Sequence, residues 1–175
     1  MKILLLLLVL NLSAWAAPQE FTLEETDFEL SPMVYDLEEL LKIANARASA
    51  EGRLVLETAV SMIDNQEIVI GSCWDYINAI YDRAGYPQRQ RKTSFKSKQA
   101  GPYAELDLIE PGDWLYFINH SYNNVEHSAV FVEWIDFDSK EALTIAYSGG
   151  NKPVPARYKT YDLSSVYNIM RAKSN

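Results

Sequence analysis

The chain contains a single cysteine, Cys73, and two histidines, His120 and His127. A cysteine attacks a carbonyl group as its thiolate, and a nearby histidine is the usual base that removes the thiol proton. A lone cysteine also has two plainer explanations, because it cannot form a disulfide within the chain. It is then a small buried hydrophobic residue, or it pairs with another chain. The sharper hypothesis is nucleophilic attack by Cys73, with one histidine as the base.

Cys73 lies where a helix is predicted to begin. In "SCWDYINAIYDRAGYP", Ser72 is a good N-cap and Asp75 follows in the first turn, while a glycine and a proline end the helix. The unsatisfied backbone N–H groups of a first helical turn favour a thiolate, and they can also stabilise an oxyanion on an attacked carbonyl. The carboxylate of Asp75 opposes the first effect, so the balance between them stays open at this point.

The two histidines differ in the elements that are predicted to hold them. His127 opens the strand predicted from "SAVFVEWI", whereas His120 lies in the polar segment "NHSYNN", which is typical of a loop tip. A group that transfers protons needs a rigid position. We therefore predict that His127 is the base and that His120 is a solvated loop residue.

Helices precede strands along the chain. Apolar residues recur at helical spacing after Asp36, where Glu39 completes a capping-box-like start, and again from about residue 53 to residue 63, with Gly52 between the two stretches. Four β-branched and aromatic runs separated by turn residues follow the cysteine-bearing helix: residues 113–118, 128–135, 142–148 and 166–172. This order predicts an α+β domain in which the helices pack on an antiparallel sheet.

Composition and the first residues restrict the function classes. With 16 basic and 24 acidic residues the formal charge is −8, and such a chain is a poor candidate for binding nucleic acid. Residues 1–16 combine a lysine, an apolar run and an Ala-x-Ala end, which is typical of a secretory signal peptide. The alternative, a membrane anchor, needs a longer apolar run. We predict a signal peptide over residues 1–16, an acidic flexible arm over residues 17–33 and one domain over residues 34–175, exported to the periplasm or outside the cell without a membrane anchor.

Three segments, taken in order, resemble the NlpC-type papain-like cysteine peptidases and the related cysteine/histidine-dependent amidohydrolase/peptidase (CHAP) group. They are "GSCWDYINAIYDRAGYP", "IEPGDWLYFI" and "EHSAVFVEWI". Cys73 and His127 lie 54 residues apart (127 − 73), a separation of the order seen in such domains. The resemblance covers about residues 54 to 172. The sequence Ser72-Cys73-Trp74-Asp75 is closer to the CHAP pattern than to the aspartate-cysteine-serine-glycine of NlpC-type domains.

This resemblance implies a papain-like fold and a bacterial cell-wall hydrolase that cuts amide bonds in peptidoglycan stem or cross-link peptides, without a metal or a cofactor. Cys73 matches the nucleophile and His127 the base. The family places a third polar group, which orients the imidazole, on or just past the next strand. The segment "ALTIAYSGGN" offers Tyr147, Ser148 and Asn151, none of which is the residue type that the family usually has there. Our choice is Ser148, with Asn151 next, and a backbone carbonyl is the alternative.

The resemblance also suggests residues that bind substrate. In the family fold the segment after the nucleophile helix lies near the cleft, so Arg91 and Lys92 in the basic run "RQRKTSFKSK" are expected to hold carboxylates of a stem peptide. The alternative for this run is a solvated loop. Trp74 is expected on the cleft wall, and Asn151 is a further candidate for substrate binding. Two other functions stay open: a non-catalytic cell-wall-binding module of the same fold, and a cysteine acyltransferase.

Overall fold

A computed structural model describes residues 36–150 and 154–174. The signal peptide and the acidic arm predicted for residues 1–33 lie outside the described residues, and so does Asn151. The described residues belong to one compact unit, residues 35–175. Three N-terminal helices pack on a six-stranded antiparallel sheet, which confirms the predicted α+β class. None of the helices described is both long enough and apolar enough to cross a membrane.

The three helices begin at side chains that cap them. Their bounds are α1 Leu37–Arg47, α2 Ala50–Asp64 and α3 Cys73–Arg83. Asp36 caps α1 as predicted, since its Oδ1 accepts a hydrogen bond from the N–H of Glu38 at 2.9 Å. The prediction that Gly52 separates α1 from α2 is wrong, because Ser49 is the N-cap of α2 and its Oγ accepts from the N–H of Gly52 at 3.0 Å.

The sheet has the strand order β1-β6-β2-β3-β4-β5, and every pair is antiparallel. The strands are β1 Arg91–Lys96, β2 Trp114–Asn119, β3 Val125–Asp136, β4 Glu141–Ala146, β5 Arg157–Asp162 and β6 Val166–Ala172. The four predicted runs correspond to β2, β3, β4 and β6. The loop expected over residues 89–98 is instead largely β1, an edge strand that pairs with β6, and β5, at the other edge, had no counterpart among the predicted strands.

Each face of the sheet has its own hydrophobic core. Val130 and Val132 of β3 belong to the cluster that includes the helices. Ala129 and Phe131 belong to a second cluster, which also includes Ile109 from the connection between β1 and β2. This division follows from the pleat, because successive side chains of a strand point to opposite faces. Even-numbered residues at the start of β3 therefore face the helices, and odd-numbered residues face away from them.

A buried tyrosine joins α3 to the sheet. The hydroxyl of Tyr81 donates to the carbonyl of Gly112 at 2.7 Å and accepts from the N–H of Trp114 at 3.0 Å. Asp113, between them, is 1% exposed and receives two hydrogen bonds of 2.7 Å from the guanidinium of Arg171 on β6. These contacts fix α3 on the start of β2, and so they set where the first residue of α3 stands against the sheet.

Candidate active site

Cys73 is the first residue of α3, as the sequence predicted, and it is partly exposed. Ser72 is the N-cap, and both its N–H (2.7 Å) and its Oγ (2.8 Å) donate to Oδ2 of Asp75. These hydrogen bonds from Ser72 lower the pKa of Asp75. The carboxylate that could oppose a thiolate at Cys73 is thus held by the capping serine.

A glycine loop packs directly against the turn that precedes Cys73. A Cβ on Gly149 would lie 2.7 Å from the Cα of Ser72, and the N–H of Gly150 donates to the carbonyl of Gly71 at 2.8 Å. Both loop glycines have positive φ, +66° and +69°. The turn bearing the thiol is therefore positioned by the loop after β4 as well as by its own helix. This role of Gly149 and Gly150 was not predicted from the sequence, in which two consecutive glycines after a predicted strand are the signal for it.

One cavity of about 170 Å³ contains the candidate nucleophile and touches the candidate base. It is lined by Cys73, Trp74, Tyr116, Glu126, His127, Ser128 and Tyr167. The structure thus brings three of the predicted site residues together: the cysteine, its neighbouring tryptophan and the histidine. The other four were not predicted, because they converge from β2, β3 and β6 only when the sheet forms.

The imidazole of His127 packs mainly against the second core. Its ring centroid lies 5.6 Å from that of Phe117 and 5.3 Å from that of Tyr161, and both of these rings belong to the cluster away from the helices. Within the described part of the chain, the buried Nε2 has no hydrogen-bond partner. That nitrogen is therefore bonded neither to the thiol of Cys73 nor to the hydroxyl of Ser148.

Burial, and after it the charge of Lys159, lowers the pKa of His127 to about 4. The imidazole is thus neutral at pH 7, as a proton acceptor must be. Burial destabilises its protonated, charged form. Ser148 is exposed and does not line the cavity. The hydroxyl of Tyr147 donates to the carbonyl of Val69 at 2.8 Å and serves the loop before α3. No third group orients the imidazole among the residues that the structure describes.

Aromatic rings form one wall of the cavity. Trp74 packs on Trp114 (5.5 Å between centroids), Trp114 stacks on Tyr116 (5.4 Å), and Tyr116 meets Tyr167 (6.3 Å). The hydroxyl of Tyr116 donates to Sδ of Met170 at 3.6 Å, and burial raises the pKa of Tyr116 to about 12. Trp74 lines the cavity and is 47% exposed, so it lies at the rim.

A carboxylate and a tyrosine hydroxyl pair at the same cavity. The hydroxyl of Tyr167 donates to Oε1 of Glu126. Burial, followed by this carboxylate, raises the pKa of Tyr167. Both tyrosine hydroxyls of the wall are therefore already hydrogen-bonded within the protein.

The two basic residues expected to bind substrate do not line this cavity. The guanidinium of Arg91 is almost fully buried, donates to Asp82 at 2.7 Å and to Asn78 at 2.9 Å, and lies over the ring of Tyr81 at 5.1 Å. Arg91 thus joins β1 to α3. Lys92 is exposed on the edge strand.

His120 lies at the exposed turn between β2 and β3, where its Nδ1 is 2.8 Å from Oδ1 of Asn124. The structure thus puts His120 at a solvated loop tip, and of the two histidines His127 alone lines the cavity of Cys73.

A scan against protein-family models finds no matching family, and a search of curated proteins finds no matching sequence.

Proposed function

We propose that this chain is an exported cysteine hydrolase of papain-like fold that cleaves amide bonds in peptidoglycan stem or cross-link peptides. The observation behind the proposal is that Cys73, in the first turn of α3, and His127, at the start of β3, line the same cavity, although the imidazole ring packs on the opposite face of the sheet. The order of helices and antiparallel strands agrees with this fold. The signal-peptide pattern of residues 1–16 supports export to the compartment that contains such a substrate.

In this mechanism the sulfur of Cys73 attacks the scissile carbonyl carbon. Backbone N–H groups at the start of α3 stabilise the resulting oxyanion. His127, neutral at pH 7 because burial depresses its pKa, accepts the thiol proton and passes it to the leaving amine as the C–N bond breaks. Water then attacks the thioester, which releases a carboxylic acid and restores the thiol.

The mechanism requires the imidazole to come within hydrogen-bonding distance of the thiol during turnover. Catalytic hydrogen bonds often tighten only when the substrate is bound. The ring of His127 packs against Phe117 and Tyr161, so the mechanism requires the start of β3, which follows the exposed turn at residues 120–124, to rearrange when substrate binds.

The test is hydrolysis of purified peptidoglycan by the purified protein, with the released fragments identified by mass spectrometry. We expect Cys73→Ala and His127→Ala each to lower the rate by at least about a thousandfold, as single losses from a nucleophile–base unit do. His120→Ala is the matched control, because it removes the other imidazole from an exposed position, and it should keep the rate. Cleavage by Cys73→Ala at the wild-type rate would refute the proposal.

A second candidate, a non-catalytic cell-wall-binding module of the same fold, is favoured by one observation. The Nε2 of His127 lacks a partner within the described residues, and the ring lies against apolar neighbours rather than a polar third group. The rate of Cys73 alkylation at pH 7, compared with that of free cysteine, distinguishes the two candidates. A binding module should show a thiol no faster than free cysteine, together with co-sedimentation with peptidoglycan that Cys73→Ala leaves intact.

A further inference from the structure

Ser128 lies at the floor of the cavity that contains Cys73. It is the residue of β3 opposite Tyr116 of β2, and it is 2% exposed. The pleat turns its side chain to the same face as Val130, toward the helices. Its hydroxyl is therefore on the side of the sheet where α3 and the thiol are found.

The hydroxyl of Ser128 differs from those of two other buried residues, Thr144 on β4 and Ser165 in the turn before β6. Thr144 Oγ1 donates to the carbonyl of Lys159 at 2.9 Å, and Ser165 Oγ donates to that of Ile118 at 3.0 Å. Ser128 Oγ has no partner within the described residues. A buried hydroxyl without a partner destabilises the folded state, so an unpaired hydroxyl in a native core calls for a specific explanation.

The two tyrosine hydroxyls beside Ser128 can donate a hydrogen bond to a ligand only by giving up one that they already make within the protein. Tyr116 donates to the sulfur of Met170, and Tyr167 donates to Glu126. Among the hydroxyls that line the described cavity, that of Ser128 is the one left free to donate.

We propose that Ser128 is a substrate-binding residue whose hydroxyl donates a hydrogen bond to a carbonyl oxygen of a small, neutral amide held against Cys73. This rests on the proposed function in one respect, namely that Cys73 is the reacting group. The cavity of about 170 Å³ is several times the roughly 30 Å³ that one water occupies in the liquid, which is room for one amide group with a small substituent. Because the hydroxyl of Ser128 is buried, the proposal requires a side chain at the rim to move aside, and Trp74, which is 47% exposed, lies there.

The experiment compares two reagents that alkylate Cys73 in the full chain. Iodoacetamide carries an amide carbonyl, whereas allyl bromide carries no hydrogen-bond acceptor of that kind. In both reactions an S–C bond forms, a carbon–halogen bond breaks, halide leaves and the thiol proton goes to the buffer. Rates are followed by the mass of the intact protein.

We expect Ser128→Ala to slow the reaction with iodoacetamide about tenfold, which corresponds to one hydrogen bond, and to leave the reaction with allyl bromide unchanged. Ser128→Thr, which keeps the hydroxyl, should restore the iodoacetamide rate. Slowing with both reagents, or with neither, would overturn the proposal.

Thermal unfolding supplies an independent readout. Ser128→Ala should raise Tm, because it removes an unpaired buried hydroxyl, whereas the control Ser165→Ala should lower it, because that hydroxyl is bonded to Ile118. A fall in Tm for Ser128→Ala would also overturn the proposal. Since neither readout involves peptidoglycan, a failure of the hydrolase proposal and a failure of this one are distinguishable.

Discussion

The two consecutive glycines after β4 allow a matched test of how the thiol is positioned. Gly149 and Gly150 have nearly the same positive φ, +66° and +69°. A Cβ on Gly149 would lie 2.7 Å from the Cα of Ser72 and 2.9 Å from the carbonyl oxygen of Gly71, whereas a Cβ on Gly150 would meet nothing within 4 Å. Alanine at either position has the same backbone cost, but only Gly149→Ala forces apart the loop and the turn before Cys73.

The expected magnitudes follow from these two effects. The left-handed conformation costs alanine about 1 kcal/mol relative to glycine, so Gly150→Ala should destabilise by about that amount. Overpacking against backbone atoms that cannot rotate away adds about 2 kcal/mol, so Gly149→Ala should lose about 3 kcal/mol in all. For a chain of this size the difference between the variants corresponds to about 6 °C in Tm.

Urea unfolding measures the two losses, and the rate of Cys73 alkylation by iodoacetamide reports on the turn itself. We expect Gly149→Ala to change the alkylation rate and Gly150→Ala to leave it close to wild type. If both variants lose the same stability and keep the same alkylation rate, the loop does not position the thiol and the reasoning is refuted.

Two further predictions concern ionisable groups. Because the pKa of His127 is about 4 in the folded protein and about 6.5 in an unfolded chain, the unfolded state alone gains its proton as pH falls from 6.5 to 4. His127 should therefore lower the free energy of unfolding of the wild type by about 2 kcal/mol between pH 7 and pH 5. Urea unfolding of His127→Gln should lack that loss, whereas the control His120→Gln should keep it. If the free energy of unfolding of His127→Gln depends on pH as that of the wild type does, the prediction is wrong. Arg171→Met leaves the carboxylate of Asp113, 1% exposed, without its partner and should cost about 3 kcal/mol. Arg83→Met, which removes a partly exposed pair with Glu67, should cost under about 1 kcal/mol, and similar losses in the two variants would show that burial of Asp113 is not the deciding factor.

The features predicted correctly from the sequence are those that depend on neighbouring residues. Asp36 and Ser72 are the N-caps of the helices that follow them, and the apolar residues after them repeat at helical spacing. The central strands β2 and β3 are β-branched and aromatic because both of their faces are buried. Such local signals placed Cys73 at the first residue of α3 before any contact between elements was known.

The edge strands could not be predicted in this way. Charged and polar residues dominate both edge strands, β1 ("RKTSFK") and β5 ("RYKTYD"). An edge strand is partly solvated, and charged residues on it prevent pairing with other chains. Arg91 therefore looked like a loop cation. Its buried position between Asp82 and the ring of Tyr81 arises only when β1 pairs with β6.

By itself the sequence determined the start of α3, and hence the thiol at a helix N-terminus, because caps and periodicity act over a few residues. The sheet decided the surroundings of that thiol, because pairing of β2 with β3 and β6 brings Tyr116, Ser128 and Tyr167 to one cavity from segments far apart in the chain. The same pleat directs the ring of His127 toward Phe117 and Tyr161. Which face a side chain occupies depends on register, and register is a property of paired strands rather than of any single segment.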